Sequence, residues 1–163
     1  MNFKALQTIH RLAILHNLRI ATAESLTAGM VSSALATLSG ASAYFVGGVA
    51  AYDIDAKVNL LGVDRETARD CNCVSCETVE QMAIGAQALF QADYAIATTG
   101  YAEAAPDQGV DSPLAYCALV IKEDVAAHIW RVNGFAGTMN RQEFRELVTA
   151  DVIEVLAYQL GRR

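Results

Sequence analysis

A chain of 163 residues with 53% hydrophobic and only 18% charged residues has the apolar content to bury a sizeable core and too little charge to stay disordered. Its formal charge of −6, with no basic cluster beyond Arg162-Arg163, excludes a protein whose main partner is the nucleic-acid backbone. No apolar run approaches the roughly 20 residues of a membrane helix, and no charged segment leads into an uninterrupted apolar core at the N-terminus. The expectation is one soluble, cytoplasmic domain over residues 1–163, with no membrane and no nucleic-acid partner.

Residues 3 to 15 set Phe3, Leu6, Ile9 and Ala13 on one stripe, which predicts an amphipathic helix stopping near Asn17. Arg19 to Ala23 reads as a short strand. Thr27 to Leu38, small, apolar and without proline, reads as a helix, broken by Ser39-Gly40-Ala41-Ser42. Tyr44 to Tyr52 predicts a strand, with a bulge or a close backbone approach at Gly47-Gly48. Two short helices follow, Asp53 to Leu61 and Asp64 to Arg69. Ser75 then caps a clearer one with Val79, Met82, Ala83, Ala86 and Phe90 on one face.

Tyr94 to Thr99 is the next strand. The stretch from Tyr101 to Ser112 has no periodicity and carries Pro106, Gly109 and the acids Glu103, Asp107 and Asp111. Pro113 to Ile121 is almost continuously apolar, as in a strand buried on both faces. Lys122-Glu123-Asp124 turns the chain into Val125 to Val132, an antiparallel hairpin. Asn140 with Glu143 opens a last helix, striped by Phe144, Leu147, Val148, Val152, Val155 and Leu156. The pattern is α/β: a three-layer α/β/α sandwich on a mostly parallel sheet with one antiparallel strand.

In such a sheet, sites form at the carboxyl ends of strands. The polar candidates there are Glu24-Ser25, the segment Tyr52 to Lys57, and Thr99-Gly100. Ser25 falls where a strand gives way to a helix, which admits three readings. Backbone donors there can hold the oxyanion formed by a serine nucleophile. The same helix end can bind an anion without chemistry. Ser25 or Thr27 can also be simply the helix N-cap, which the local sequence favours. A serine, a tyrosine and a lysine converging from separate loops would allow acyl transfer without histidine, the desolvated lysine acting as base. Taken singly, Tyr52 reads as an edge aromatic and Lys57 as a solvated helix lysine. Cys71, Cys73 and Cys76, spaced C-x-C-x-x-C, lack an evident fourth metal ligand and, like Cys117, are expected to be reduced, partly buried thiols. Neither a metal nor a cofactor is expected.

Thr22-Ala23-Glu24-Ser25-Leu26-Thr27-Ala28-Gly29 resembles the T-A-E-S-C-T-G-G segment of the CinA C-terminal domain family. So do Ser42 to Val49, Tyr52-Asp53-Ile54-Asp55-Ala56-Lys57, Leu61-Gly62-Val63, Val74-Ser75, Ala92-Asp93-Tyr94-Ala95 and Thr99-Gly100, in the same order along nearly the whole chain. Members include nicotinamide-nucleotide amidases, which convert nicotinamide mononucleotide to nicotinic acid mononucleotide and ammonia in pyridine-nucleotide recycling. The resemblance implies Ser25 as nucleophile, Lys57 as its base and Tyr52 assisting proton transfer. It also implies contacts to a nucleotide amide from Glu24, Thr27, Gly48, Thr99, Gly100 and Arg141, and a homo-oligomer.

The chain departs from the family pattern after Thr99-Gly100. Tyr101-Ala102-Glu103-Ala104-Ala105-Pro106 stands where a glycine-rich run is usual, and Ser112 stands in place of a lysine. Lost glycines and an added carboxylate are expected to weaken the binding of an anionic nucleotide. Asp53-Ile54-Asp55 replaces S-N-E, and Phe135-Ala136-Gly137-Thr138-Met139-Asn140-Arg141 resembles F-x-G-D-R with an insertion and no aspartate. Arg141 and Arg145 remain as candidate phosphate partners. Two functions are thus expected: an amidohydrolase, or a divergent member without that activity that binds a small molecule or regulates.

Overall fold

The computed structural model describes residues 2–135 and 137–162. Met1, Ala136 and Arg163 lie outside the described residues, and with them the middle of the Phe135-to-Gly137 stretch. In chain order the elements are α1 (Phe3–Leu15), β1 (Ile20–Glu24), α2 (Met30–Leu35), β2 (Phe45–Ala50), α3 (Ile54–Leu61), α4 (Arg65–Asp70), α5 (Cys76–Phe90), β3 (Tyr94–Tyr101), β4 (Leu114–Ile121), β5 (His128–Asn133) and α6 (Arg141–Leu160). The strands form one sheet in the order β2-β1-β3-β4-β5. β1 pairs in parallel with β2 and β3, whereas β4 is antiparallel to both β3 and β5. One strand therefore runs against the other four, as the sequence pattern predicts.

Side chains alternate across the sheet and divide the core in two. Along β3, Tyr94 and Ile96 join the cluster beneath α1, α2 and α6, with Leu6, Ile9, Leu35, Phe144 and Val152. Ala95 and Ala97 join the opposite cluster with Leu61, Val79, Met82 and Ala86 of α3 and α5. Every residue of β1 is buried, because both faces of that central strand are covered. The caps expected at Asp64 for α4, Ser75 for α5 and the reciprocal Asn140–Glu143 pair for α6 are present, and Asp53 caps α3 as well.

Three local expectations change. The helix after Ser25 begins at Met30, not Thr27, and ends at Leu35. Ala28 (φ 48°) and Gly29 (φ 98°) are left-handed and cannot lie on a helical path. Likewise, β5 begins at His128 rather than Val125, whose side chain is fully exposed. Phe3 is more than half exposed, so the α1 stripe starts at Leu6.

The bulge expected in the second strand lies at Val46: Phe45 is opposite Ile20 and Gly47 opposite Ala21. Two residues on, a Cβ on Gly48 would fall inside the van der Waals shells of Thr22 Oγ1 and Ser32 Oγ, which share a 2.7 Å hydrogen bond. Glycine is required there so that β2, β1 and α2 can meet. Gly48→Ala is expected to lower unfolding stability by about 1–3 kcal/mol, the usual cost of overpacking. Chemical denaturation checks this; a change below about 0.5 kcal/mol would mean that the contact yields easily.

Candidate active site

At the end of β1, Glu24 is almost wholly buried, and its carboxylate is fully used. Oε2 accepts from Thr27 Oγ1 (2.6 Å), Gly29 N (2.9 Å) and Val31 N (3.0 Å). Oε1 accepts from Ser32 N (2.8 Å) and Ser32 Oγ (2.6 Å). Glu24 thus caps α2 from the preceding strand, satisfying N–H groups that a helix start leaves orphaned. Neither Ser25 nor Thr27 is the N-cap, which corrects the local reading. Anion binding at this helix end is corrected too, because the protein's own carboxylate occupies it.

The chain between cap and helix makes a tight detour that presents Ser25. Its N–H donates to Thr98 O at 2.9 Å, and Thr27 Oγ1 meets Thr98 Oγ1 at 2.8 Å, so β3 also anchors the turn. From the other side, Arg145 of α6 donates through Nε to Leu26 O (3.0 Å) and through a terminal nitrogen to Thr27 O (2.9 Å). Arg145, a candidate phosphate partner by sequence, is spent on this turn. Among the described residues no acceptor takes the N–H of Leu26.

Lys57 reaches the serine from the first turns of α3. Its Nζ is 3.0 Å from Ser25 Oγ and 2.9 Å from the carbonyl oxygen of Tyr52, and the side chain is 1% exposed. Burial holds the amine below the usual lysine pKa, opposed more weakly by Cys73 and Asp53, whose negative forms favour the ammonium. Burial also pushes the Cys73 thiol up, with Lys57 acting the other way. Desolvation therefore favours the uncharged form of both groups. Nothing local in the sequence places Cys73 beside the lysine: the two lie 16 positions apart, and Cys73 sits in the turn between α4 and α5.

These groups line a cleft of about 660 Å³. Ser25, Lys57 and Cys73 lie low in it and are buried, whereas Tyr52, 59% exposed, stands at the rim. The phenol of Tyr52 accepts from Arg141 at 2.7 Å, and Arg141 also donates to Glu103 at 2.9 Å. On the wall, Asn72 donates to the Tyr101 hydroxyl (2.8 Å) and Thr99 Oγ1 donates to the Cys73 carbonyl (2.6 Å). Asn72 and Cys73 are both left-handed, at φ 49° and 61°.

The expected site residues separate accordingly. Ser25, Tyr52, Lys57, Thr99, Gly100 and Arg141 all line the cleft. Glu24, Thr27 and Gly48 do not: the first two are buried in the hydrogen-bond network beneath the serine, and Gly48 packs on Thr22 and Ser32. Ser112 is also absent from the lining, whereas Glu103 and its neighbours Tyr101, Ala102, Ala104 and Ala105 belong to it. Among the described residues no group of three or more His, Cys, Asp or Glu side chains is placed to hold a metal ion, and no helix is long and apolar enough to cross a membrane.

The CinA C-terminal domain model matches residues 2–160. The chain belongs to the CinA C-terminal domain family. A CinA-like protein of Shewanella sediminis is 36% identical over 157 residues, covering 94% of this chain and 36% of its own length. Another from Shewanella pealeana is 35% identical with the same coverage, so the chain spans about a third of these relatives. Among solved structures, a competence-damaged protein (CinA) superfamily member from Klebsiella pneumoniae superimposes with a TM-score of 0.89 at 26% identity, covering both chains completely. One from Enterobacter cloacae gives 0.86 at 30% identity, over 96% of this chain and 90% of its own.

The CinA fold at this site rests on Glu24. Glu24→Gln keeps the shape but sets an amide NH₂ against backbone donors. The expected loss is about 3 kcal/mol, since charged hydrogen bonds vanish and buried N–H groups go unpaired. Urea unfolding of the variant measures it; a loss below about 1 kcal/mol would remove Glu24 from its place as organiser of the turn.

Proposed function

We propose that this CinA-family chain is a serine amidohydrolase acting on a primary carboxamide, in the manner of a nicotinamide-nucleotide amidase. The observation that carries the reading is the buried Lys57 amine 3.0 Å from Ser25 Oγ, at the floor of a cleft that also holds Tyr52. A lysine stripped of water is a competent base near neutral pH, and hydrogen-bond contact is the geometry that activation of a serine requires.

In this mechanism Ser25 Oγ attacks the carboxamide carbon while its proton passes to Lys57 Nζ. The carbonyl oxygen becomes an oxyanion, for which the unclaimed N–H of Leu26 is the nearest-in-sequence donor. Collapse breaks the C–N bond, and the proton held by Lys57 leaves with ammonia. Water then attacks the ester, giving up a proton to Lys57, and as the ester bond breaks that proton passes to the departing Ser25 Oγ, releasing the carboxylic acid and restoring the serine and the neutral amine. Tyr52 contributes twice. Its main-chain carbonyl orients the amine, and its phenol, at the rim of the same cleft, assists the proton reaching the departing nitrogen.

Ammonia release from nicotinamide mononucleotide by the pure protein tests the reading. Ser25→Ala and Lys57→Met should each lose at least about a hundredfold in kcat, and Tyr52→Phe, which keeps the carbonyl, about tenfold or more. Activity unchanged in Ser25→Ala would remove the serine from the chemistry.

The reaction needs an uncharged Lys57, so kcat/KM should rise with pH and level off above the lysine pKa, which burial sets below the ordinary lysine value. Asp53 opposes that shift by favouring the ammonium. Asp53→Asn, still a competent cap for α3, should therefore move the rising limb to lower pH. A limb displaced to higher pH would contradict the assignment of Lys57 as base.

A further inference from the structure

The floor of the cleft does chemistry; its rim reads charge. Arg141 is a cation at the mouth whose donors are directed to the protein itself, one to Glu103 at 2.9 Å and one to the Tyr52 phenol at 2.7 Å. A phosphate approaching Arg141 would share the guanidinium with Glu103 and lie beside its carboxylate. Asp53 and Asp107 also line the cleft, against Arg69 as the remaining lining arginine. Glu103, Asp53 and Asp107 thus set three carboxylates around the space beside its two lining arginines. Two aromatic rings, Tyr52 and Tyr101, border the same space, and a ring face attracts a cation.

We propose that the Glu103–Arg141 pair makes this cleft select a primary amide borne on a cationic or neutral group without a phosphate, a nucleoside-type amide rather than a nucleotide. This rests on the amidohydrolase reading for turnover, but the selection itself is a property of binding. Glu103 is the specificity-determining residue. Its carboxylate occupies the guanidinium that a phosphate needs, and it repels that phosphate while attracting a positive ring. Rejection by like charge is the repulsive half of specificity. The pair is exposed, at 48% and 65% side-chain exposure, so it adds little to stability and its removal should leave the fold intact.

The test compares nicotinamide mononucleotide with its dephosphorylated nucleoside, whose pyridinium ring is cationic, in the native chain and in Glu103→Gln. The native chain should favour the nucleoside at least tenfold in kcat/KM. Glu103→Gln should narrow or reverse that ratio by about tenfold, chiefly by improving the nucleotide, with an unchanged melting temperature. A native preference for the nucleotide, or a ratio that Glu103→Gln leaves alone, would overturn the inference while the amidohydrolase reading stood. If neither compound is turned over, calorimetric titration of both into the native chain and Glu103→Gln decides. Tighter nucleoside binding, reduced relative to nucleotide in the variant, would support charge selection with the hydrolase reading gone. Binding of neither compound, or equal binding of both, would overturn it.

Discussion

The turn that carries Ser25 exists because one buried carboxylate has nowhere to go except the start of the next helix. Burying a charge is costly unless every lone pair is met, and Glu24 meets that condition with Thr27, Gly29, Val31 and Ser32. α2 is a helix of six residues, too short to hold its own start in register. The carboxylate supplies what the helix lacks, and in doing so fixes the left-handed pair Ala28-Gly29 and the path of Ser25. Thr22, Ser32 and Gly48 extend the same network into β2. Thr98 and Arg145 then fasten the turn to β3 and α6. A serine set on such a frame has little freedom to drift.

Lys57 depends on the other half of the core. α3 lies close enough to α5 that a Cβ on Gly85 would meet the main chain of Leu61, and on the same helix Lys57 is buried. Burial disfavours the ammonium, while the direction of the amine is set locally by the Tyr52 carbonyl. Serine and lysine are thus brought together from two strand ends, through β1 and through the loop after β2. The sheet holds those ends side by side in parallel register, Glu24 opposite Ala50.

Much of this was legible in the sequence, and the parts that were not share a cause. Caps made by a residue on its own helix were readable: Asp64, Ser75 and the Asn140–Glu143 pair. The cap on α2 was not, because its acceptor comes from the preceding strand and local rules favour a serine or threonine. The start of that helix was misplaced for the same reason. Ala28 at positive φ is disfavoured by local propensity, and only the surrounding donors and acceptors hold it there. Converging loops were foreseeable from strand order, and Ser25, Tyr52 and Lys57 do line one cleft. That Tyr52 meets the lysine through its backbone, that Arg145 serves the nucleophile turn, and that Cys73 adjoins the amine are all tertiary facts without a local signature.

The two layers of the site differ in how freely they can change. At the floor, Ser25 and Lys57 are buried and hydrogen-bonded to each other, and Glu24 is buried in the network beneath them, so a substitution there disturbs the fold as well as the site. At the rim, Glu103, Arg141 and Tyr52 are exposed, and an ion pair between such groups is worth roughly 0–1 kcal/mol to stability. A carboxylate introduced there changes what the cleft attracts almost without structural penalty. The loop after Thr99-Gly100 can therefore diverge while the serine and its lysine stay in contact. Within one fold, the buried floor and the exposed rim are separately adjustable, and the family resemblance bears on the first far more than on the second.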